Sequence, residues 1–555
     1  MVTSSVLTAC SLLPLLAAAR INVTSQLFVL AGESTINNVK LTWSLIDDAA
    51  SYEVLLLSDS GSYDVLATAP GDSWDIYGLT ASQTYQIRGV NGSTTIDSSD
   101  DVTVAPGSTL ASDLSTYDNT VASSLSIKST LVSGSTYYKY NYVTDSNGFS
   151  YFQIQTSTDG YTFTGNTTAI TRETVCASIA NGFCKLESIA INQHPTTNQV
   201  VIWAHFENAA DYTLGEVAVL YGDPGDTLTF GGAFRPEGDD SRDLGFFADT
   251  DGSGYIITAI NTNTNLGLYS LNADWTNVTA KVATIQPGEN REAPALVRDG
   301  ESYYLFSSTA AGWYPSQGKY VSTQASLSSS NGTWTASRNV GNVNTFGAQS
   351  GGVSQIGDTY VERANRWAAQ WAIPEASNRQ VVLPIAFADG LASYHFYRTL
   401  RYSDDAGVVV GVQSGKILSV GKTATSSDAS TTASVANDGT QDDPSNLFTP
   451  AAVPFWWQVD LGDAHSLTQV DITPRQVGGS ETYLQYNVTG STDGESWTLL
   501  VNGTANTAVG FLNEEVTDSG SYRYVRLNVN KVINIHNGNE ADWAAGLHEV
   551  TVYGS

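Results

Sequence analysis

Positive charge is what this chain has least of: 25 Lys and Arg stand against 55 Asp and Glu in 555 residues, a net charge of −30 at pH 7. Binding a phosphate backbone draws on clustered Lys and Arg and the counterions they release, so nucleic acid and anionic membrane surfaces are excluded as partners. Charge of either sign is scarce, at 14% of residues, while 41% are hydrophobic and 10% aromatic. That balance excludes a disordered acidic tail and predicts sizeable cores. Six His and no Gly-x-Ser-x-Gly sequence leave little for a serine-triad hydrolase.

Long apolar runs are missing too. Val6 to Ala19 is too short to span a bilayer and ends in Ala17-Ala18-Ala19 before Arg20, as a cleaved secretory signal over 1–19 does, although no Lys or Arg precedes it. A secreted, extracellular, soluble protein is therefore expected. Asn-x-Ser/Thr sequons at Asn22, Asn91, Asn166, Asn277, Asn331, Asn487 and Asn502 suit a glycoprotein of that compartment. Of three Cys, Cys10 leaves with the signal. Cys176 and Cys184 are then expected to form a disulfide, since two Cys without neighbouring His do not complete a zinc shell.

What is present is a β texture. Short runs rich in Val, Thr, Tyr and Ile, such as Gly254-Tyr-Ile-Ile-Thr-Ala-Ile and Tyr522-Arg-Tyr-Val-Arg-Leu-Asn-Val, alternate with Gly, Asn, Asp and Ser, and helical stripes are missing. Polar stretches around Asp97 to Ser115 and Thr423 to Asp443 divide the chain into segments 28–105, 116–420 and 425–555.

Segment 28–105 carries Val39-Lys-Leu-Thr-Trp43, Tyr52-Glu-Val54 and Leu79-Thr-Ala-Ser-Gln-Thr-Tyr85. It resembles a fibronectin type III domain, a β-sandwich in which a buried Trp sits between the sheets and the late Tyr hydroxyl ties back to backbone. The resemblance implies a fold and no activity.

Segment 425–555 contains Asn437-Asp-Gly439, Phe455-Trp-Trp-Gln-Val-Asp-Leu-Gly462, Ser491-Thr-Asp-Gly-Glu-Ser-Trp497 and Gly546-Leu-His-Glu549-Val-Thr-Val-Tyr553. This succession resembles the discoidin, or factor V/VIII C-type, fold and the family 32 carbohydrate-binding modules built on it. The resemblance implies a sugar-binding β-sandwich with a structural calcium, and the matching positions are Asp438 and Glu549, hard oxygen ligands. A turn at Asp438 and a solvated strand residue at Glu549 is the plainer alternative. Trp456 and Trp457 are expected in the core.

Segment 116–420 has the length of a five-bladed β-propeller, and repeated strands opening on Tyr137-Tyr138, Gly254-Tyr255 and Tyr303-Tyr304 suit one. The whole is thus read as all-β, a propeller flanked by two sandwiches. Within it stand Cys184-Lys-Leu-Glu187, Ser241-Arg-Asp243 running on to Asp249-Thr-Asp251-Gly252, Arg291-Glu292-Ala-Pro294, Gly312-Trp-Tyr-Pro315, Thr345-Phe-Gly-Ala-Gln349 and Asn365-Arg366-Trp367. In order and spacing these resemble the exo-β-1,3-galactanase branch of glycoside hydrolase family 43. Where that branch usually follows its first Glu with Arg-Pro-Lys-Val, this chain reads Ser-Ile-Ala190; it has no His-Gly-Gly element between Leu110 and Tyr137, and Ala311 stands where Thr is common.

Cleaving a glycosidic bond takes an acid to protonate the leaving oxygen and a group to steer water to the opposite face of the anomeric carbon. Carried over residue by residue, Glu292 is the general acid and Asp243 the carboxylate that raises its pKa. Gln349 holds the water in place of the base Asp that this branch lacks, and Glu187 binds sugar hydroxyls or helps orient the water. The resemblance implies inversion. Each has a plainer alternative: a surface ion pair for Glu292, a strand amide for Gln349, a cap on the disulfide loop for Glu187. Asp249 and Asp251 are read as a hairpin turn. Trp313 is the candidate sugar platform, with Trp367 and Trp371 as further aromatics.

The sequence thus predicts a secreted hydrolase releasing galactose from β-1,3-galactan or another plant cell-wall polysaccharide, with no catalytic cofactor. The alternatives are a non-catalytic lectin-like protein, or an arabinofuranosidase or xylosidase of the same family.

Overall fold

The computed structural model describes residues 21–367, 379–428, 432–478 and 481–555. The expected signal at 1–19 and Trp371 lie outside the described residues. Among the described residues helix is confined to one turn at Arg172–Val175 and a few short 3₁₀ segments, and none is long and apolar enough to cross a membrane.

In the N-terminal unit, strands Val23–Leu30, Asn38–Trp43 and Ser73–Ile76 form one layer. Ser51–Leu57, Tyr63–Ala69, Gln83–Asn91, Thr94–Ser98 and Val102–Val104 form the other. Alternating inward residues fill the space between: Val39, Leu41, Trp43, Tyr52, Val54, Tyr85 and Ile87 make one buried cluster. A boundary at residue 28 falls inside the first strand. The tyrosine tie also differs from expectation. Tyr85 donates to the Gln83 side chain, and the hydroxyl that meets backbone is that of Tyr52, which accepts from Ile46 N at 2.8 Å.

The first layer does not end at its own strands. Val23–Leu30 pairs in parallel with Val408–Gln413, Phe28 opposite Gly411, and Thr399–Ser403 and Ser115–Asp118 follow. Residues 399–413, assigned from sequence to the middle segment, thus extend the N-terminal sheet by two strands, and Ser115–Asp118 brings it to six.

Between residues 132 and 394 the chain forms five successive four-stranded antiparallel sheets, each with its strands in chain order. The first strands of the second, third and fourth sheets, Cys184–Gln193, Leu244–Ala248 and Arg291–Asp299, lie side by side, with that of the fifth, Val353–Ile356, next to the fourth. Gly245 allows this approach: a Cβ there would stand 2.3 Å from the Pro294 carbonyl. Cys176 and Cys184 form a disulfide, Cα atoms 5.4 Å apart, which ties the end of the short helix to the start of the strand bearing Glu187.

In the C-terminal unit the twenty-residue strand Phe455–Pro474 serves two layers. Its first half pairs with Thr423–Ser426 and Ser521–Asn534, its second with Leu547–Gly554 and Leu512–Glu515, with an irregularity between Asp460 and His465. Trp457, Val459, Leu484, Val488, Leu527 and Val550 pack between them. Trp457 is fully buried and donates to Ala433 O at 2.8 Å. Trp456 is not in that core: it faces outward, half-buried, with the Arg526 guanidinium 4.5 Å from its ring.

A buried ion pair locks the six-stranded sheet. Lys40, 7% exposed, meets Asp75, 9% exposed, and Asp75 also accepts from Tyr77 OH at 2.9 Å and Gln413 Nε2 at 3.0 Å, reaching across to the distant strand. Removing one partner leaves the other charge buried and unpaired. Lys40→Met is expected to cost about 3–5 kcal/mol in urea unfolding, and Lys40→Met with Asp75→Leu to recover most of it. Equal losses in the single and double variants would show that the pair is not what matters.

Candidate active site

Two strands carry the same local feature. The ladder of Cys184–Gln193 slips between Glu187 and Ala190, and that of Arg291–Asp299 slips between Glu292 and Ala295. The residue after each Glu takes a left-handed backbone, Ser188 at φ 48° and Ala293 at φ 50°. For residues with a Cβ such backbone is strained, and bulges of this kind re-aim side chains beside functional sites. Pro294 completes the second bulge, having no N–H to give the ladder.

Asp243, just ahead of strand Leu244–Ala248, holds both bulges. Its Oδ1 accepts from Ser188 Oγ at 2.9 Å and its Oδ2 from Ala293 N at 3.1 Å. The carboxylate thereby fixes the directions in which Glu187 and Glu292 leave the backbone.

Glu292 is 7% exposed. Its Oε1 accepts from Ala311 N at 3.2 Å and from Gln349 Nε2, and its Oε2 from Asn263 Nδ2 at 3.2 Å. Burial, and next the negative charge of Asp243, push its pKa up to about 8, so the acid form persists at neutral pH. The neighbouring Arg291 is turned away, 1% exposed, donating to Ser307 Oγ at 3.0 Å, Thr309 Oγ1 at 2.8 Å and Gln317 O at 3.1 Å. Glu292 is thus a buried acid and not a surface ion-pair partner.

Gln349, 6% exposed, is held by reciprocal backbone bonds with Asn365 at 2.9 and 2.7 Å. Both ends of its amide are engaged, Nε2 on Glu292 and Oε1 accepting from Trp367 Nε1 at 2.9 Å. An amide has two N–H donors and two acceptor lone pairs, so each end keeps one place through which Gln349 can hold a water.

Glu187 is the more open carboxylate, its side chain 36% exposed. Tyr212 OH donates to its Oε1 at 2.9 Å, and His205 Nδ1 stands 3.6 Å from its Oε2. Behind it, His205 Nε2 meets the buried Glu207 at 3.1 Å, and Glu207 also accepts from Leu214 N and Gly215 N, both at 2.8 Å.

Glu187, Asp243, Glu292, Gln349 and Trp313 line one cleft of about 790 Å³, and Trp367 shares it. Trp313 is 47% exposed at the cleft wall, an apolar face of the kind that suits a sugar ring. Asp249 and Asp251 are turn residues: Asp251 accepts from Ser253 N at 2.8 Å, and Asp249 from Thr250 N, Arg298 and Tyr303 OH. Sequence reading missed Asn263, Tyr212 and the His205–Glu207 pair. Asn263 sits in a turn where Asn261, Thr262 and Asn263 all have positive φ, and the Asn-rich run was its one signal.

Asp438 and Glu549 stand far from the cleft, in the C-terminal unit. Glu549 is 2% exposed, so it is no solvated strand residue; its Oε2 accepts from Gly439 N at 3.2 Å while its Oε1 is buried without a partner. Asp438 accepts from Thr440 N at 2.8 Å and Asn446 Nδ2 at 3.0 Å. Burial and the charge of Asp438 push the Glu549 pKa well up. Among the described residues no group of three or more His, Cys, Asp or Glu is arranged as metal ligands.

Residues 421–546 match the F5/8 type C domain family. No curated protein matches the chain. Similar solved structures include an exo-β-1,3-galactanase from Clostridium thermocellum, 21% identical, with a TM-score of 0.48 over 74% of this chain and 99% of that one. Another is an exo-β-1,3-galactanase from Phanerochaete chrysosporium solved with β-1,3-galactotriose, 20% identical, with a TM-score of 0.49 over 79% of this chain and all of that one.

The raised pKa of Glu292 carries a stability consequence. The folded state binds this proton more tightly than the unfolded chain, whose carboxyl titrates near 4.5, so the wild type loses stability as pH rises from about 4.5 to 8. Glu292→Gln should be worth little at pH 4 and should raise the melting temperature progressively more toward pH 8. A difference that stays flat with pH would show that Glu292 is not held protonated.

Proposed function

We propose that the protein is a secreted glycoside hydrolase acting from chain ends on β-1,3-galactan, with inversion. One observation carries the reading: a buried carboxyl, Glu292, kept in its acid form at neutral pH on the floor of an aromatic-walled cleft, with Asp243 beside it. The five successive sheets are read as the blades of a β-propeller, flanked by a fibronectin type III-like and a carbohydrate-binding sandwich. Sequons Asn91, Asn166, Asn277, Asn331 and Asn502, all exposed, support secretion.

In this mechanism the terminal sugar lies against Trp313. Glu292 gives its proton to the glycosidic oxygen as the bond breaks, and the alcohol leaves. Water enters from the opposite face, oriented by Gln349 and Glu187, and gives its proton to the Glu187 carboxylate, while Glu292 regains a proton from solvent after the products leave. Asp243 keeps Glu292 protonated until the leaving oxygen approaches. No step uses a cofactor. In the C-terminal module the residues present fit a hard cation: Asp438 and Glu549 offer carboxylate oxygens, one of them a buried acceptor with no donor. Calcium held there would supply folding free energy and no chemistry.

Free galactose from debranched β-1,3-galactan, and none from other β-galactans or arabinans, is the expected product pattern in chromatography. Pentoses from arabinan or xylan would move the substrate class within the same chemistry. Glu292→Gln should lose about 10²–10⁴-fold in kcat while still binding polymer. The alkaline limb of kcat/KM should fall near pH 8 and move to lower pH in Asp243→Asn, because that change removes a negative charge that raises the acid's pKa. Unchanged hydrolysis by Glu292→Gln would remove the acid assignment, and polymer binding without product from the wild type would favour the lectin-like reading.

Chelation supplies a separate check. A calcium-specific chelator should lower the melting temperature of the wild type, calcium should restore it, and Glu549→Gln should be insensitive to both. A melting temperature indifferent to chelator and calcium would leave Glu549 as a buried, protonated acid.

A further inference from the structure

Two aromatic side chains have crossed between units. Phe511, from the C-terminal unit, is 6% exposed, yet it packs outside that unit's core, among Phe346, Ala348, Leu383 and Tyr394 of the fifth sheet and its approach. Its ring lies 5.2 Å from that of Phe346 and 4.8 Å from that of Phe396. In the other direction Tyr314 packs on Tyr483, Val509, Ile533 and Ile535 of the C-terminal unit, its ring 5.4 Å from His536.

Polar contacts reinforce the exchange. Buried Arg366 donates from Nη1 to Gly347 O at 3.0 Å and from Nη2 to Val509 O at 2.9 Å. Gln476 Nε2 donates to Pro315 O at 3.1 Å. Gly347 and Gly510 touch backbone to backbone: a Cβ on Gly510 would lie 2.8 Å from the Gly347 Cα.

These contacts fall on the two loops that hold the acid. Loop 311–317 supplies Ala311 N to Glu292 and carries Trp313; loop 344–349 ends in Gln349, whose amide meets Glu292. Ser316 N donates to Ala348 O at 3.0 Å and joins one loop to the other. Phe346, at φ 53°, and Gly347 stand three and two residues before Gln349, so a shift at Phe511 reaches the amide through one turn of strained chain. Loops held in part from outside their own sheet take part of their geometry from what holds them.

We propose that the C-terminal unit is a structural part of the catalytic cleft. Phe511 is a positioning residue for Gln349, acting through Phe346 and Gly347, and Tyr314 seated on the C-terminal unit does the same for Trp313. The catalytic half of this rests on the glycosidase reading above; the mechanical coupling does not. A module that only tethers the enzyme to polymer would leave the turnover of short substrates untouched.

The test uses the full-length protein and β-1,3-galactobiose, a substrate too short to reach from the cleft to another surface. Phe511→Ala should speed hydrogen exchange of the 344–349 amides by about tenfold or more. It should lower kcat on the disaccharide by about 10–100-fold, with KM changed far less, as misplacement of a catalytic group does. Phe511→Leu, which refills most of the space, should restore most of both. His536→Ala, at the unit's surface, gives a second variant where Phe511→Ala does not fold, with faster exchange expected in 311–317. Native exchange and native kcat in the folded variants, with or without a loss of polymer affinity, would overturn the proposal. Should the wild type cleave no glycoside, the glycosidase reading fails, and the exchange experiment still decides the coupling.

Discussion

The cleft depends on one carboxylate that serves two purposes. Asp243 bonds Ser188 and Ala293, the left-handed residues that follow Glu187 and Glu292, and so sets where both acidic side chains point. Its charge also helps hold the Glu292 proton. Strained bulges persist only where their surroundings over-determine them. Here the same group enforces the strain and exploits it, because the geometry that brings Asp243 to Ala293 N also brings its charge toward Glu292. A neutral hydrogen-bonding replacement could keep the shape, but it would let the acid ionise sooner.

That arrangement explains why the acid half of the site was legible in sequence. Asp243 and Glu292 lie in short contiguous motifs, Ser241-Arg-Asp243-Leu and Arg291-Glu292-Ala-Pro294, in which the neighbours that shape the bulge are local. Pro294 and the small Ala293 are part of the signal. The rest of the shell is not local. His205, Glu207 and Tyr212 reach Glu187 across neighbouring strands and a loop, and Asn263 reaches Glu292 from a turn whose left-handed residues carry no chemical mark of a site. Likewise the alternation of apolar residues foretold strands throughout, yet it could not foretell that Val408–Gln413 would pair in parallel with Val23–Leu30. Strand pattern specifies which face is buried and says little about which distant edge is met. Tyr85 and Tyr52 teach the same lesson on a smaller scale: Tyr85 turns to the side chain of Gln83, and it is Tyr52 that meets backbone, at Ile46 N.

The same limit applies to domain boundaries. Composition breaks mark where the chain becomes polar, here near 105 and 425. They do not mark where cooperative contacts end. Lys40, Asp75 and Gln413 join the first strands to the last strand of the middle segment, and Phe511 and Tyr314 each sit in the other unit's cluster. A chain with a net charge of −30 repels itself at neutral pH, and its units are held together by aromatic rings and backbone-directed bonds as well as by a few ion pairs, Arg398–Glu515 and, through Gln413, Lys40–Asp75 among them.

Gln349 sets the remaining chemical constraint. Nε2 is on Glu292 and Oε1 on Trp367, which leaves one N–H and one lone pair free of these two bonds, and a neutral amide is a poor proton acceptor in any case. Its most direct effect in this geometry is therefore on the acid: donating to Oε1 leaves the Glu292 proton on Oε2. In the mechanism proposed above, once a leaving oxygen takes that proton, the carboxylate that remains draws the amide and the Ala311 N–H more strongly, since bonds to an ionised acceptor are the stronger ones. Stabilisation thus grows as the proton departs, which is the direction catalysis requires. In that mechanism the proton from the attacking water has to find another acceptor, and Glu187, its side chain 36% exposed and backed by His205 and Glu207, is the more open of the cleft's two Glu side chains.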